Sequence, residues 1–215
     1  MIDIYCERTG PGLLAEPVNA ITNLAFLLAA LASWRLAKRQ NVLSADIWLL
    51  IGLMAAIGIG SGLFHTFATG WSQGLDIRPI LLFQGAYLWL TGRRMLGLAT
   101  GWLISSVVLL ISAGMLGRQF PDLLNRSLIY APALILLVSL GIYHYRHAVI
   151  QPALLLQATG VFLLSLTMRT MDQAVCSWLP MGTHYFWHLL NGLLVYLIVR
   201  GLLVNLPVMS RQQKG

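Results

Sequence analysis

Residues 46–66 read Asp46-Ile-Trp-Leu-Leu-Ile-Gly-Leu-Met-Ala-Ala-Ile-Gly-Ile-Gly-Ser61-Gly-Leu-Phe-His65-Thr66. One acid stands at the start and no Asp, Glu, Lys or Arg follows. As a helix rising about 1.5 Å per residue, the run is long enough to cross a hydrocarbon layer about 30 Å thick. Its far end carries a serine and a histidine four residues apart, on one helix face. A polar or metal-binding side chain at a membrane edge is costly and usually has a task.

Similar apolar runs recur on both sides of this one. Of the 215 residues, 58% are hydrophobic and 10% charged, against about 25% charged in a soluble domain. The pattern predicts an all-α polytopic membrane protein, a seven-transmembrane helix bundle forming one domain over residues 1–215. The expected spans run from Pro17 to Ala37, Asp46 to Thr66, Asp76 or Pro79 to the residue before Arg93, and Leu98 to Met115. Three more run from Arg126 to Tyr143, Pro152 to Met168 and Gly182 to Leu206, the last stopping at Pro207. Residues 1–16 form a polar cap segment, and residues 207–215 a short tail. The cap carries Asp3, Glu7 and Glu16, which is the wrong composition for a cleavable signal peptide.

Lys and Arg set the orientation. With seven spans, Arg8, Arg78, Arg118, Arg126 and Arg169 fall on the N-terminal side. Arg35, Lys38, Arg39, Arg93, Arg94, Arg146, Arg200, Arg211 and Lys214 fall on the other. The richer side is cytoplasmic, so the N-terminus lies outside and the C-terminus inside. The net charge of +7 follows from these helix-end residues. With no basic helix, phosphate loop or aromatic platform, it does not indicate nucleic acid. His144 and His147 fall beside Arg146 and read as headgroup-level residues without a role.

The same tracing brings His65, Asp76, His184 and His188 to the N-terminal side. His184 and His188 are spaced i and i+4, so two imidazoles share one helix face. A third histidine from another helix gives three nitrogen ligands and an open position, the ligand count of a catalytic zinc site. Zinc brings the pKa of bound water down to about 7. Asp76 is placed to hold that water and shuttle its proton, and Ser61 to steady an oxyanion or orient a ligand. Each piece has a plainer reading: an H-x-x-x-H pair arises by chance, and Ser61 among glycines packs helices. Asp172 reads as a solvated loop acid or as a partner of a ligand histidine. Arg78 reads as a partner of Asp76 or of a headgroup, and Trp187 as a pocket wall.

Ser61 and His65, then Asp76, then His184 and His188, in that order, resemble the alkaline ceramidase family. The wider superfamily of seven-span hydrolases includes the adiponectin receptors. Tyr5-Cys6-Glu7 and Glu16-Pro-Val-Asn19-Ala-Ile-Thr-Asn23 add a second match near the N-terminus. The resemblance implies that His65, His184 and His188 bind zinc. It implies that Asp76 holds the zinc-bound water as general base and then acid, with Ser61 assisting. The implied reaction is hydrolysis of a lipid amide, in ceramide or another N-acyl lipid, to a fatty acid and a sphingoid-like amine.

The resemblance also suggests a calcium site on Asp3, Glu7 and Glu16, oxygen ligands of the type calcium takes. The match is incomplete, because the segment between Cys6 and Glu16 is short and Asp3 is one position out of register. The alternative is that Glu16 and Asn19 tie the cap to the bundle by hydrogen bonds. Cys6 and Cys176 both fall on the N-terminal side. In an oxidising compartment they can form a disulfide, which the resemblance also implies; two free thiols are the alternative. A receptor keeping the zinc site for structure or slow hydrolysis is the competing function, disfavoured by the short loops and tail. A transporter is disfavoured by the lack of an internal repeat. The expected setting is a bacterial inner membrane, the expected state a monomer, and the expected partner a membrane lipid.

Overall fold

The computed structural model describes residues 1–148 and 150–212, with side chains up to residue 207. The side chains of residues 208–212, Arg211 among them, and the whole of residues 213–215, Lys214 among them, lie outside the described residues. Among those described there are helices and no strands. The chain forms α1 (Pro17–Thr22), α2 (Leu24–Arg39), α3 (Ala45–Phe67), α4 (Gly70–Arg94) and α5 (Thr100–Gly117). A 3-10 segment (Leu123–Tyr130) precedes α6 (Ala131–His147), α7 (Leu154–Val175) and α8 (His184–Gln212). Six stretches are long and apolar enough to cross a membrane, counting α1 with α2 as one and the 3-10 segment with α6 as another. α4 is as long as these but more polar, since it carries Asp76, Arg78, Arg93 and Arg94.

Several boundaries differ from expectation for local reasons. The first span breaks at Asn23, which separates α1 from α2. α4 begins at Gly70 rather than near Asp76, because Thr69 and Ser72 form a reciprocal capping box there. Asp76 therefore sits inside the helix. α6 begins at Ala131, five residues after the expected Arg126: Leu124, Asn125 and Arg126 all have left-handed backbones, and Pro132 lies in the first turn of the helix proper. α7 runs to Val175, past the expected Met168. α8 begins at His184 and continues through Pro207 to Gln212, because a proline near a helix end forfeits only a local hydrogen bond.

The link between α3 and α4 is two residues long, with Ala68 left-handed at φ 48°. The two helices pack along their length, and α8 packs on α7 and α2. Among the best-buried apolar side chains, Ile47, Leu50, Leu155, Leu202 and Leu203 come from the start of α3, the start of α7 and the end of α8. They fill the half of the bundle away from the N-terminus. His144 is there too and is 1% exposed, not at headgroup level. Its Nδ1 lies 2.9 Å from the Pro152 carbonyl oxygen, and its Nε2 faces Asn205. Asp46 at the start of α3 pairs with Arg94 at the end of α4.

Candidate metal centre

The opposite half of the bundle holds the polar residues. His65 comes from the last turn of α3, and His184 and His188 from the first two turns of α8. Their ligand atoms lie within 4.8 Å of one another, and all three residues are buried. His65 Nδ1 is 2.5 Å from Glu16 Oε2, so its Nε2 is the nitrogen left for the group. Thr22 gives its own proton to the Val18 carbonyl at 2.7 Å. Its oxygen therefore accepts from His188 Nδ1 at 3.0 Å, which leaves His188 Nε2 as a lone-pair nitrogen. His188 Nε2 and His184 Nδ1 are buried without any partner. A buried orphan of this kind costs about 1–3 kcal/mol. Three convergent imidazoles with unfilled nitrogens can bind a metal ion, and this donor set is consistent with zinc.

The cap segment shapes this group. Glu16, 2% exposed, also accepts from Arg8 Nε at 2.5 Å and Asn19 Nδ2 at 3.1 Å. Burial alone would raise the Glu16 carboxyl. The hydrogen bond and charge of His65, with the bonds from Arg8 and Asn19, outweigh it and hold the group below the usual carboxylate range. Arg8 Nη2 also donates to the His65 carbonyl at 2.8 Å. Tyr5 stacks on His184 with ring centroids 3.6 Å apart. Burial pushes the Tyr5 phenol well above its ordinary value, against the pull of Arg169.

Asp172 is fully buried on α7 rather than solvated in a loop. Its carboxylate accepts from the backbone N–H of Thr183 at 2.7 Å and of His184 at 2.9 Å. It also accepts from the Cys6 N–H at 3.1 Å. One acid thus caps the helix that carries two of the histidines and anchors the N-terminal segment to it. Gly182, at φ +66°, sits against this carboxylate and against Cys6, where a Cβ would overlap both. Cys6 and Cys176 form a disulfide.

Ser61 and Asp76 face each other across α3 and α4. Gly60 makes this possible: a Cβ there would strike the Leu75 carbonyl. Pro79 has no N–H to offer that carbonyl. Asp76, half-buried, opens onto a cavity of about 340 Å³ whose wall includes Tyr5, Tyr130 and Arg169. A second pocket of about 100 Å³ is lined almost wholly by apolar side chains, with Trp187 among them as expected. The two share Ile80, Gln84, Leu110, Tyr130 and Ala133, so a polar chamber passes into an apolar one.

The structure brings Ser61, His65, Asp76, His184 and His188 into one site. It does not gather Asp3, Glu7 and Glu16 in the same way. Asp3 is exposed, and Glu7 accepts from the N–H groups of Val18 and Asn19 at 2.7 and 2.8 Å, capping α1. Glu16 and Asn19 do tie the cap to the bundle. Arg78 forms no ion pair with Asp76 and lies along Gly74. Sequence reasoning missed Arg8, Thr22 and the depth of Arg169; the last had a signal, an arginine in the otherwise uncharged run of 160–171.

A search of curated protein sequences finds no match. The family model described as Ceramidase matches residues 5–214, which takes in the cap segment and each of the five site residues, so the chain belongs to the ceramidase family.

Proposed function

We propose that this protein is a zinc-dependent amidase of ceramide or a related N-acyl lipid, releasing a fatty acid and a sphingoid-like amine. The observation that carries this reading is the buried three-histidine group, with orphaned nitrogens, beside an acid that opens onto a polar chamber continuous with an apolar one. His65, His184 and His188 would hold the ion. When bound, zinc supplies a Lewis acid and makes water acidic near neutral pH. Asp76 takes the proton of the attacking water on its carboxylate and later delivers it to the leaving amide nitrogen. Ser61 orients that carboxylate or donates to the developing oxyanion. Glu16 fixes the tautomer and orientation of His65, and Thr22 those of His188. Tyr5 and the disulfide-held cap exclude water from above.

We further read α4 as a seventh span, residues 1–215 as one domain, and the monomer as the working state. The setting is a bacterial inner membrane with the site on the non-cytoplasmic face. Calcium has weaker support, because Glu7 and Glu16 already accept from protein donors. The test is product analysis by mass spectrometry on a panel of N-acyl lipids. Fatty acid and amine should appear, stop with a strong chelator and return with zinc. Zinc bound at one ion per chain with no hydrolysis of any lipid would favour the receptor reading instead.

A further inference from the structure

Arg169 lies within two turns of the end of α7 and is 8% exposed, yet no carboxylate pairs with it among the described residues. Its Nη1 is held by the Asn125 carbonyl at 2.8 Å and the Ser127 hydroxyl at 2.9 Å. Its guanidinium lies over the rings of Tyr130 and Trp187, with centroids 5.3 and 5.6 Å away. Its Nε is buried and has no partner. A buried charge left unpaired costs several kcal/mol, and native structures rarely keep one without a use.

The surroundings give the use. The wall of the 340 Å³ cavity carries Arg169, Arg118 and Arg126 against a single carboxylate, Asp76. Arg118 caps α5, and Arg126 sits in the left-handed turn before α6. Both are exposed at the rim, and neither forms an ion pair among the described residues. Of the other acids near this face, Glu7 caps α1, Glu16 serves Arg8 and His65, Asp172 caps α8, and the exposed Asp3 and Asp122 stand outside the cavity wall. The chamber is therefore cationic, and the pocket it opens into is apolar.

We propose that the chamber selects an N-acyl lipid whose amine half carries an anionic group, a phosphate, sulfonate or carboxylate. The anion must lie on the amine half because the acyl half of such a lipid is hydrocarbon, which suits the apolar pocket. Arg169 contacts the anion inside, and Arg118 and Arg126 attract it at the mouth. This rests on the amidase reading for its reaction, but binding tests it separately.

The purified full chain in neutral detergent is offered three lipids of matched chains, with an alcohol, a phosphate ester or a carboxylate at the same position. One or both anionic lipids should be hydrolysed with kcat/KM at least about tenfold above the alcohol, and should displace a fluorescent lipid at correspondingly lower concentration. Arg126→Gln and Arg118→Gln should erode this preference through KM, and Arg126→Lys should keep it. Arg169→Gln should abolish it, read as the ratio of kcat/KM for anionic over neutral lipid and as the loss of the anionic lipid's advantage in displacement. Which anion wins distinguishes a phosphate from a carboxylate headgroup. Equal or better turnover and binding of the alcohol overturns the proposal. So does a preference untouched by all three Gln variants, which would leave the rim arginines as contacts to bulk phospholipid. If no lipid is hydrolysed, the amidase reading fails, and the displacement arm still decides the headgroup.

Discussion

Asp76→Asn keeps the shape of the side chain and the three imidazoles but removes the proton carrier. It should retain about one zinc per chain and lose roughly 10²–10⁴-fold in kcat, checked by elemental analysis beside a fatty-acid release assay. His188→Ala should lose the zinc itself; full metal content in that variant sinks the ligand assignment. Glu16→Gln is the sharper test at this scale. It keeps a hydrogen bond to His65 but discards the charge that faces both His65 and Arg8. Zinc affinity, read by competition with a chromophoric chelator, should fall roughly 10–100-fold. The three histidines that the structure gathers could be picked out from sequence because polar groups in apolar runs are conspicuous. Arg8 and Thr22 could not. Each looks ordinary in its own segment, and its role depends on a partner at His65 or His188, far along the chain.

Among the elements, the short α3–α4 link and the capped start of α8 position the site. The turn at Gly182 joins them to the cap. Alanine there would take a left-handed backbone, costing about 1–2 kcal/mol, and its Cβ would push on the Asp172 carboxylate and on Cys6. Gly182→Ala should lower the thermal midpoint and weaken zinc retention together. Gly10→Ala, with open space around it, should change neither. The existence and order of the helices were legible from apolar runs. Their ends were less so, because ends depend on chemistry that hydropathy does not register. The Thr69–Ser72 box moved the start of α4 outward, and three left-handed residues moved the start of α6 inward. Asp172 was misread for the same reason: α7 outlasts its apolar run by two turns, and a buried acid there serves as a cap.

For the whole molecule, the division is between an apolar core at one end of the bundle and a buried polar site at the other. On the proposed topology the site end faces outside. A single added cysteine at Leu13, which is 59% exposed in the cap, should react with an impermeant thiol reagent on intact cells. Labelling only after the membrane is broken would invert the orientation. That the chain is an all-helical bundle of apolar spans was readable because long apolar runs are conspicuous. The pairing of a polar chamber with an apolar pocket was not, because it arises where α4, α5, α6 and the 3-10 segment meet and no single stretch encodes it.

The bond between Cys6 and Cys176 closes across a sequence separation of 170 residues. During synthesis, the N-terminal cap therefore waits for nearly the whole chain to emerge. Two of the three imidazoles also arrive only with the final helix, as does the turn that meets Asp172. A nascent or truncated chain has no complete centre to fill with metal. Assembly of the three-histidine group is thus timed to the emergence of α8 and its meeting with the N-terminal cap.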